Sequence, residues 1–251
     1  DKLSPYYILP LGRKQGEIKT HMDKNKMAQT ALKSGFSIPF YQIYTEQSLK
    51  TANIPYPCIT KPLNSVDGTK SQIKVFDNND SLQKHLNENL DTSFIIQEYI
   101  DKDFEFQLIG CSLNHGEELI IPGVSIIIRQ PQNTNTGLLK YIPIEDFHFD
   151  IELCKKFIKQ IGYSGLFSIE FLRDKKGDDY FMEINMRNDG NSICVTASNV
   201  NLPYIWTLYN LGLNYKDENT KVKKSIIVMP EFDDFRNVIN RKISLIEYIK
   251  D

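Results

Sequence analysis

Two segments, GLFSIEFLRD from Gly165 and DDYFMEI from Asp178, flank Lys175-Lys176-Gly177. Both read as strands, and Tyr180-Phe181-Met182-Glu183-Ile184 reads as an alternating one with one buried face. The short polar connection with its glycine closes the pair as an antiparallel hairpin. On this alternation Met182 and Ile184 form the buried face and hold the other face rigid.

The rest of the chain extends this pattern. DKNKMAQTALKS (Asp23–Ser34) reads as a helix capped by Asp23 and ended by Gly35, with Met27, Ala31 and Leu32 at helical spacing. FSIPFYQIY, YPCITKPL, QIKVFD, SFIIQEYI and FEFQLIGCSL read as strands, and EELIIPGVSIIIR as a strand pair. Helices are expected at Asp80–Asn89, at Ile151–Ile161 (closed by Gly162) and at Pro203–Leu211. NSVDGTKS (Asn64–Ser71) is a polar turn, and Glu231–Asp251 a strand tail followed by an amphipathic helix. Helices and strands are interleaved but hairpins dominate, which predicts an α+β fold with antiparallel sheets.

At 251 residues the chain can form one large domain or two modest ones. Its formal net charge of -2 implies no general attraction to nucleic acid or to an anionic membrane. No apolar run approaches the roughly 18 residues that a spanning helix needs, and no secretory signal pattern opens the chain. Cys58, Cys111, Cys154 and Cys194 are far apart and form no CxxC pair, so neither a disulfide framework nor a zinc site is expected, and a reducing cytoplasm fits. His21, His85, His115 and His148 lack ligand spacing. The opening Asp1 and the Pro/Gly-punctuated residues 1–20 are expected to be a linker or the remnant of a missing part.

The hairpin also carries the chemistry. Glu170 and Glu183 stand near matching positions of the paired strands, and Asn185, two residues on, points to the same face as Glu183. Two carboxylates and an amide oxygen suit a hard divalent cation. Mg²⁺ is the usual choice, with waters or phosphates completing its shell. The same glutamates on an exposed sheet would simply face solvent. Arg187 favours the cation, because a metal cluster beside an arginine fork is a phosphoryl-transfer arrangement. Elsewhere, Arg129 at the end of IIIRQP and Lys140 in GLLKYIP are further candidates for a phosphate or a substrate carboxylate, and EFDDF (Glu231–Phe235) reads as a solvated helix start.

SIEFLRDKKGDDYFMEINMRNDG resembles the metal-binding hairpin of the ATP-grasp ligases, and its E-x-N-x-R form is similar to the biotin carboxylase and carbamoyl phosphate synthetase style. Four upstream segments resemble further motifs of that family, in its order: MDKNKM, CITKPL, NSVDGTKS and IIQEYI. The resemblance implies an ATP-grasp fold, two α+β lobes with antiparallel sheets enclosing the nucleotide. It implies a small lobe at 21–96, a large lobe at 97–225 and a C-terminal strand and helix at 226–251. Lys24 and Lys61 would contact the nucleotide phosphates, and Ser65 and Gly68 would belong to a flap over them. Gln97, Glu98 and Ile100 would face adenine, and Glu105 the ribose. Glu170, Glu183 and Asn185 would hold Mg²⁺ or Mn²⁺; Arg187 and Asn188 would be the catalytic pair.

The activity so implied is transfer of the ATP γ-phosphoryl group to a carboxylate, followed by attack of an amine on the acyl phosphate. The partners are then small-molecule carboxylates and amines rather than nucleic acid or membrane, with a separate N-terminal domain or a homo-oligomer completing the protein. Bicarbonate activation, a non-catalytic ATP-binding module and a plain interaction protein are the alternatives.

Overall fold

The computed structural model describes residues 3, 6–21, 23–44, 54–62, 73–89, 93–131 and 136–250. Ser65, Gly68 and the rest of the expected flap lie outside the described residues. The elements run α1 (Glu17–His21), α2 (Lys24–Ser34), β1 (Tyr41–Tyr44), β2 (Cys58–Pro62), β3 (Lys74–Phe76), α3 (Asn79–Asn87), β4 (Phe94–Glu98), β5 (Lys102–Leu113), β6 (Glu118–Ile120), β7 (Gly123–Arg129) and β8 (Leu138–Pro143). They continue with α4 (Ile151–Ile161), β9 (Gly165–Asp174), β10 (Asp179–Asn185), α5 (Ile193–Ala197), α6 (Leu202–Asn210), β11 (Ile226–Val228), α7 (Glu231–Ile239) and α8 (Leu245–Lys250).

The chain divides into two compact units, residues 38–102 and residues 1–37 with 103–251. The smaller unit is a four-stranded sheet in the order β1-β4-β2-β3, all neighbours antiparallel. Leu82 and Leu86 of α3 bury against Cys58, Phe76, Phe94 and Ile96 on one of its faces. The register sets Lys61 opposite Ile95 and Ile59 opposite Gln97, so Lys61, Ile95 and Gln97 share the other face.

The larger unit is built on a seven-stranded sheet in the order β10-β9-β5-β7-β8-β11, with β6 paired to β5. Aromatic rings fill one side of it. Phe36 contacts Phe157 of α4, Phe171 of β9 and Phe181 of β10, with ring centroids 5.2–5.7 Å apart. Phe106 of β5 stacks on Phe171 at 5.1 Å. The opposite side of β5 contributes Ile109, Cys111 and Leu113 to a core with Leu139, Tyr141, Val195, Ile205 and Trp206, under α5 and α6.

Helix α2 follows the capping logic of its sequence. Asp23 accepts from the Lys26 amide at 3.0 Å, and Gly35 leaves the helix at φ 102, a conformation that costs a residue with a side chain. Met27 and Ala31 are buried, whereas Leu32, expected with them, is exposed and Ser34 takes the third buried position. Replacing Asp23 with alanine is expected to cost about 1 kcal/mol, read as a lower denaturant midpoint at constant slope.

The expected domain boundaries differ from this division. Helix α2 packs on α4 and β10 of the larger unit, because Phe36 just beyond its end inserts among the aromatic rings there. The supposed linker is also built in from Leu11 onward. Leu11 and Ser164 exchange backbone hydrogen bonds of 2.8 Å, and the Arg13 guanidinium donates to the Lys159 carbonyl. At the other end, Glu231–Ile239 is a helix rather than a strand tail; the strand precedes it at Ile226–Val228.

Candidate active site

Strands β9 and β10 pair antiparallel, with Glu183 opposite Glu170 and Asn185 opposite Ser168. Residues opposite one another project to the same side, so Ser168, Glu170, Glu183 and Asn185 share one face of the sheet. A register shift at Met182 is what makes this possible. Strict alternation would send Phe181 and Glu183 the same way. The extra residue turns Phe181 into the aromatic layer opposite Phe171 and releases Glu183 to the other side. The buried anchor of the strand is therefore Phe181, 3% exposed, rather than Met182 and Ile184, which are only partly buried.

A hydrogen-bond network ties this face together. Asn185 Nδ2 donates to Glu170 Oε1 at 2.9 Å, and Gln107 Nε2 of β5 donates to the same oxygen at 3.2 Å. Asn191 Nδ2 donates to Gln107 Oε1 at 2.8 Å. Ser168 Oγ donates to Asp189 Oδ2 at 2.9 Å, and Asp189 Oδ1 accepts from the Asn191 amide at 2.8 Å. Glu105 precedes Gln107 by two residues on β5 and so lies on the same face. Burial, together with the charges of Glu183, Asp189 and Glu105, pushes the Glu170 carboxyl up to about 7; the Gln107 hydrogen bond opposes the rise.

These residues fit a divalent cation. The donors are all oxygen, and a cation would relieve the repulsion that raises Glu170. Half a turn of the Asn185 amide would present Oδ1 in place of Nδ2. Among the described residues no group of three or more His, Cys, Asp or Glu side chains could hold an ion. Two carboxylates and an amide would leave most of the shell to water and phosphate oxygens, as Mg²⁺ prefers.

The remaining expected residues are spread along the chain. Lys24 opens α2 and is partly buried. On the smaller unit Lys61 is partly buried and Gln97 is 8% exposed. The Glu98 and Tyr99 amides donate within that unit, to Phe40 and Pro57 carbonyls at 2.9 Å, so they are already engaged. Ile100 is partly buried. Arg187 and Asn188 are exposed and lie beyond the end of β10, where strand parity no longer applies. Arg187 Nη1 donates to the Asn188 carbonyl at 3.3 Å.

Two expected cations lie elsewhere. A register shift between Ile127 and Arg129 pairs Arg129 with Leu138, while Ile127 pairs with Leu139. Because Ile127 is opposite Glu105, the shift turns Arg129 away from the acidic face. It pairs instead with Asp234 of α7, Nη2 to Oδ2 at 2.5 Å, and Asp234 is fully buried. The expectation of a solvated EFDDF cluster is corrected with it. Lys140 is opposite Ile126 and Ile227, also on the other face, and is exposed.

Sequence reasoning missed Gln107 and Ser168. Their signal was a polar residue at an interior position of a strand whose neighbours are apolar, Phe106 and Leu108 for one, Phe167 and Ile169 for the other. The cysteines stay outside the chemistry. All four are buried, and burial pushes Cys111 and Cys194 up to about 12, so neither presents a thiolate.

The chain is similar to several known proteins. Residues 109–233 match the family described as ATP-grasp in the biosynthetic pathway with Ter operon. A formate-dependent phosphoribosylglycinamide formyltransferase of Prochlorococcus marinus is 28% identical over 162 residues, covering 61% of this chain and 40% of that protein. An Aspergillus clavatus N5-carboxyaminoimidazole synthase, solved with ADP and 5-aminoimidazole ribonucleotide, superposes with a TM-score of 0.71 at 13% identity, covering 91% of this chain and 61% of that one. The biotin carboxylase domain of Hydrogenobacter thermophilus 2-oxoglutarate carboxylase, solved with MgADP and bicarbonate, gives 0.70 at 18% identity, covering 86% and 51%. An L-amino acid ligase from Bacillus licheniformis gives 0.63 at 15%, covering 86% and 55%. The chain has the fold of these solved structures, the ATP-grasp fold. It spans 40% of the curated relative's length and between 51% and 61% of these solved chains.

Proposed function

We propose that this chain carries the nucleotide and metal site of an ATP-dependent carboxylate–amine ligase. The observation that supports it best is the cross-strand pair Glu170 and Glu183, with Asn185 bonded to Glu170, on one face of the larger sheet. In this reading Glu170, Glu183 and Asn185 hold Mg²⁺, for which Mn²⁺ can substitute, and the ion neutralises charge on the phosphates. Lys24, Lys61 and the flap residues Ser65 and Gly68 are the proposed phosphate contacts. Gln97, Glu98 and Ile100 are the proposed adenine contacts, and Glu105 the ribose contact.

A substrate carboxylate oxygen attacks the γ-phosphorus, ADP leaves, and the resulting acyl phosphate is attacked by an amine that displaces inorganic phosphate. Arg187 steadies the charge on the transferring group, and Asn188 faces the substrate. The chain supplies position and charge neutralisation, with no covalent nucleophile of its own. Among the described residues no helix is long and apolar enough to cross a membrane. A cytoplasmic setting belongs to the same reading, supported by four separate buried free thiols. The E-x-N-x-R sequence from Glu183 to Arg187 favours bicarbonate activation as the second reading.

The test is a screen of the full-length protein for phosphate release across carboxylate and amine pairs, with bicarbonate as a separate arm. The proposal expects Mg²⁺-dependent release from ATP only when both a carboxylate and an amine are present. Release stimulated by bicarbonate alone supports the second reading. Mg·ATP that raises Tm without release under any pairing, by the linkage of binding to stability, identifies a binding module instead.

A further inference from the structure

Gln107 occupies a position where the fold alone calls for an apolar side chain. Its neighbours on β5, Phe106, Leu108 and Ile109, are all buried, and Gln107 itself is 9% exposed. Burying an amide costs free energy unless both its ends are bonded. Here they are: Nε2 donates to Glu170 Oε1 and Oε1 accepts from Asn191 Nδ2. A carboxamide can donate from one atom and accept at the other, as these two bonds require. Glutamate would lose the donor and add a like charge beside Glu170; leucine would lose both bonds.

Two amides, Gln107 and Asn185, thus converge on the same Glu170 oxygen and fix the carboxylate plane. Through Asn191 the same glutamine reaches the segment that follows β10, which also contains Arg187 and Asn188. Asp189 pins that segment a second time, to Ser168.

We propose that Gln107 is a positioning residue that couples the Arg187–Asn191 segment to the cation-binding carboxylate Glu170. The inference rests on the proposed metal site, and deepens it. Gln107 is then the bridge between the segment and the carboxylate, so losing it weakens the hold on both.

The test is Mn²⁺ binding to the full-length protein in the presence of ADP, followed by the paramagnetic signal of free Mn²⁺. Gln107→Leu and Asn191→Ala are each expected to weaken Mn²⁺ binding by about 10- to 100-fold, the usual effect of removing a group that orients a metal ligand. The double variant is expected to be no weaker than Gln107→Leu alone, because Asn191 acts through Gln107. Should Gln107→Leu fail to fold, Asn191→Ala in the partly buried segment decides alone. Wild-type affinity in the folded variants overturns the inference and leaves the metal site standing. Losses that multiply in the double variant overturn the coupling. Absence of Mn²⁺ binding by the wild-type protein overturns the metal site itself, and this inference with it.

Discussion

On the proposed function, replacing Glu183 with glutamine is expected to lower Mg²⁺-dependent ATP turnover by at least about 100-fold, because one of the two proposed anionic ligands to a charge-neutralising ion is lost. ATP affinity should fall less, since the nucleotide keeps its other proposed contacts. The substitution is nearly isosteric on an exposed side chain at the end of a paired strand, so the fold should persist. Initial-rate kinetics with Mg²⁺ varied at saturating ATP measure the effect. Turnover within a few-fold of wild type would end the metal assignment of Glu183. The prediction is sharp because of the bulge at Met182. It is the local irregularity that sets Glu183 opposite Glu170, and a strand without it would bury one of Phe181 and Glu183 on the wrong side.

The largest effect on stability is expected at Asp234. Its carboxylate is fully buried and receives both Nε and Nη2 of Arg129, at 3.3 and 2.5 Å, with Asn237 Nδ2 at 3.4 Å. Arg129 also donates to the Glu247 carbonyl in α8 at 3.4 Å, so the pair joins strand β7 to both C-terminal helices. Gly137 lies against the same carboxylate. A Cβ there would sit 2.2 Å from Asp234 Oδ1, which leaves glycine alone able to pass. Asp234→Ala removes the buried carboxylate that Arg129, 15% exposed, pairs with, and is expected to cost about 3–5 kcal/mol. For a chain of this size that is a fall of roughly 10 °C in Tm. Replacing both partners with apolar residues of similar volume should recover most of the loss. A single variant as stable as wild type would show that Arg129 finds water or another acceptor.

Much of this fold was legible in the chain because local chemistry and tertiary structure agree. Asp23 and Gly35 bracket α2, and Gly162 ends α4, in the roles their side chains and φ values favour. The Glu170 and Glu183 pairing could be read from two alternating segments and one glycine turn. What escaped depends on irregularity or on distance. A single-residue bulge reverses strand parity, and nothing in FMEI announces one. It misassigned the buried face of β10, and its counterpart at Ile128 turned Arg129 to the other side. The Arg129–Asp234 pair joins residues 105 positions apart, so EFDDF looked like an ordinary acidic helix start. Helix α2 belongs to the larger unit because Phe36 is an aromatic partner of Phe157 and Phe181, and a single sequence carries no trace of that contact.

Within the candidate site Glu170, Glu183, Asn185 and Arg187 could be read, and Gln107 and Ser168 could not. Carboxylates and an arginine at strand spacing point to phosphate and metal. Gln107 and Ser168 carry no charge, yet they hold Glu170 and Asp189 in place.

The most direct test of the account is nucleotide-linked Mn²⁺ binding by the full-length protein, compared between wild type and a Glu170→Gln, Glu183→Gln double variant. The account predicts that Mn²⁺ binds the wild-type protein together with ADP. In the double variant this binding should vanish while Tm without metal is retained or raised, because two repelling carboxylates have been neutralised. Equal Mn²⁺ affinity in the two folded proteins would contradict it.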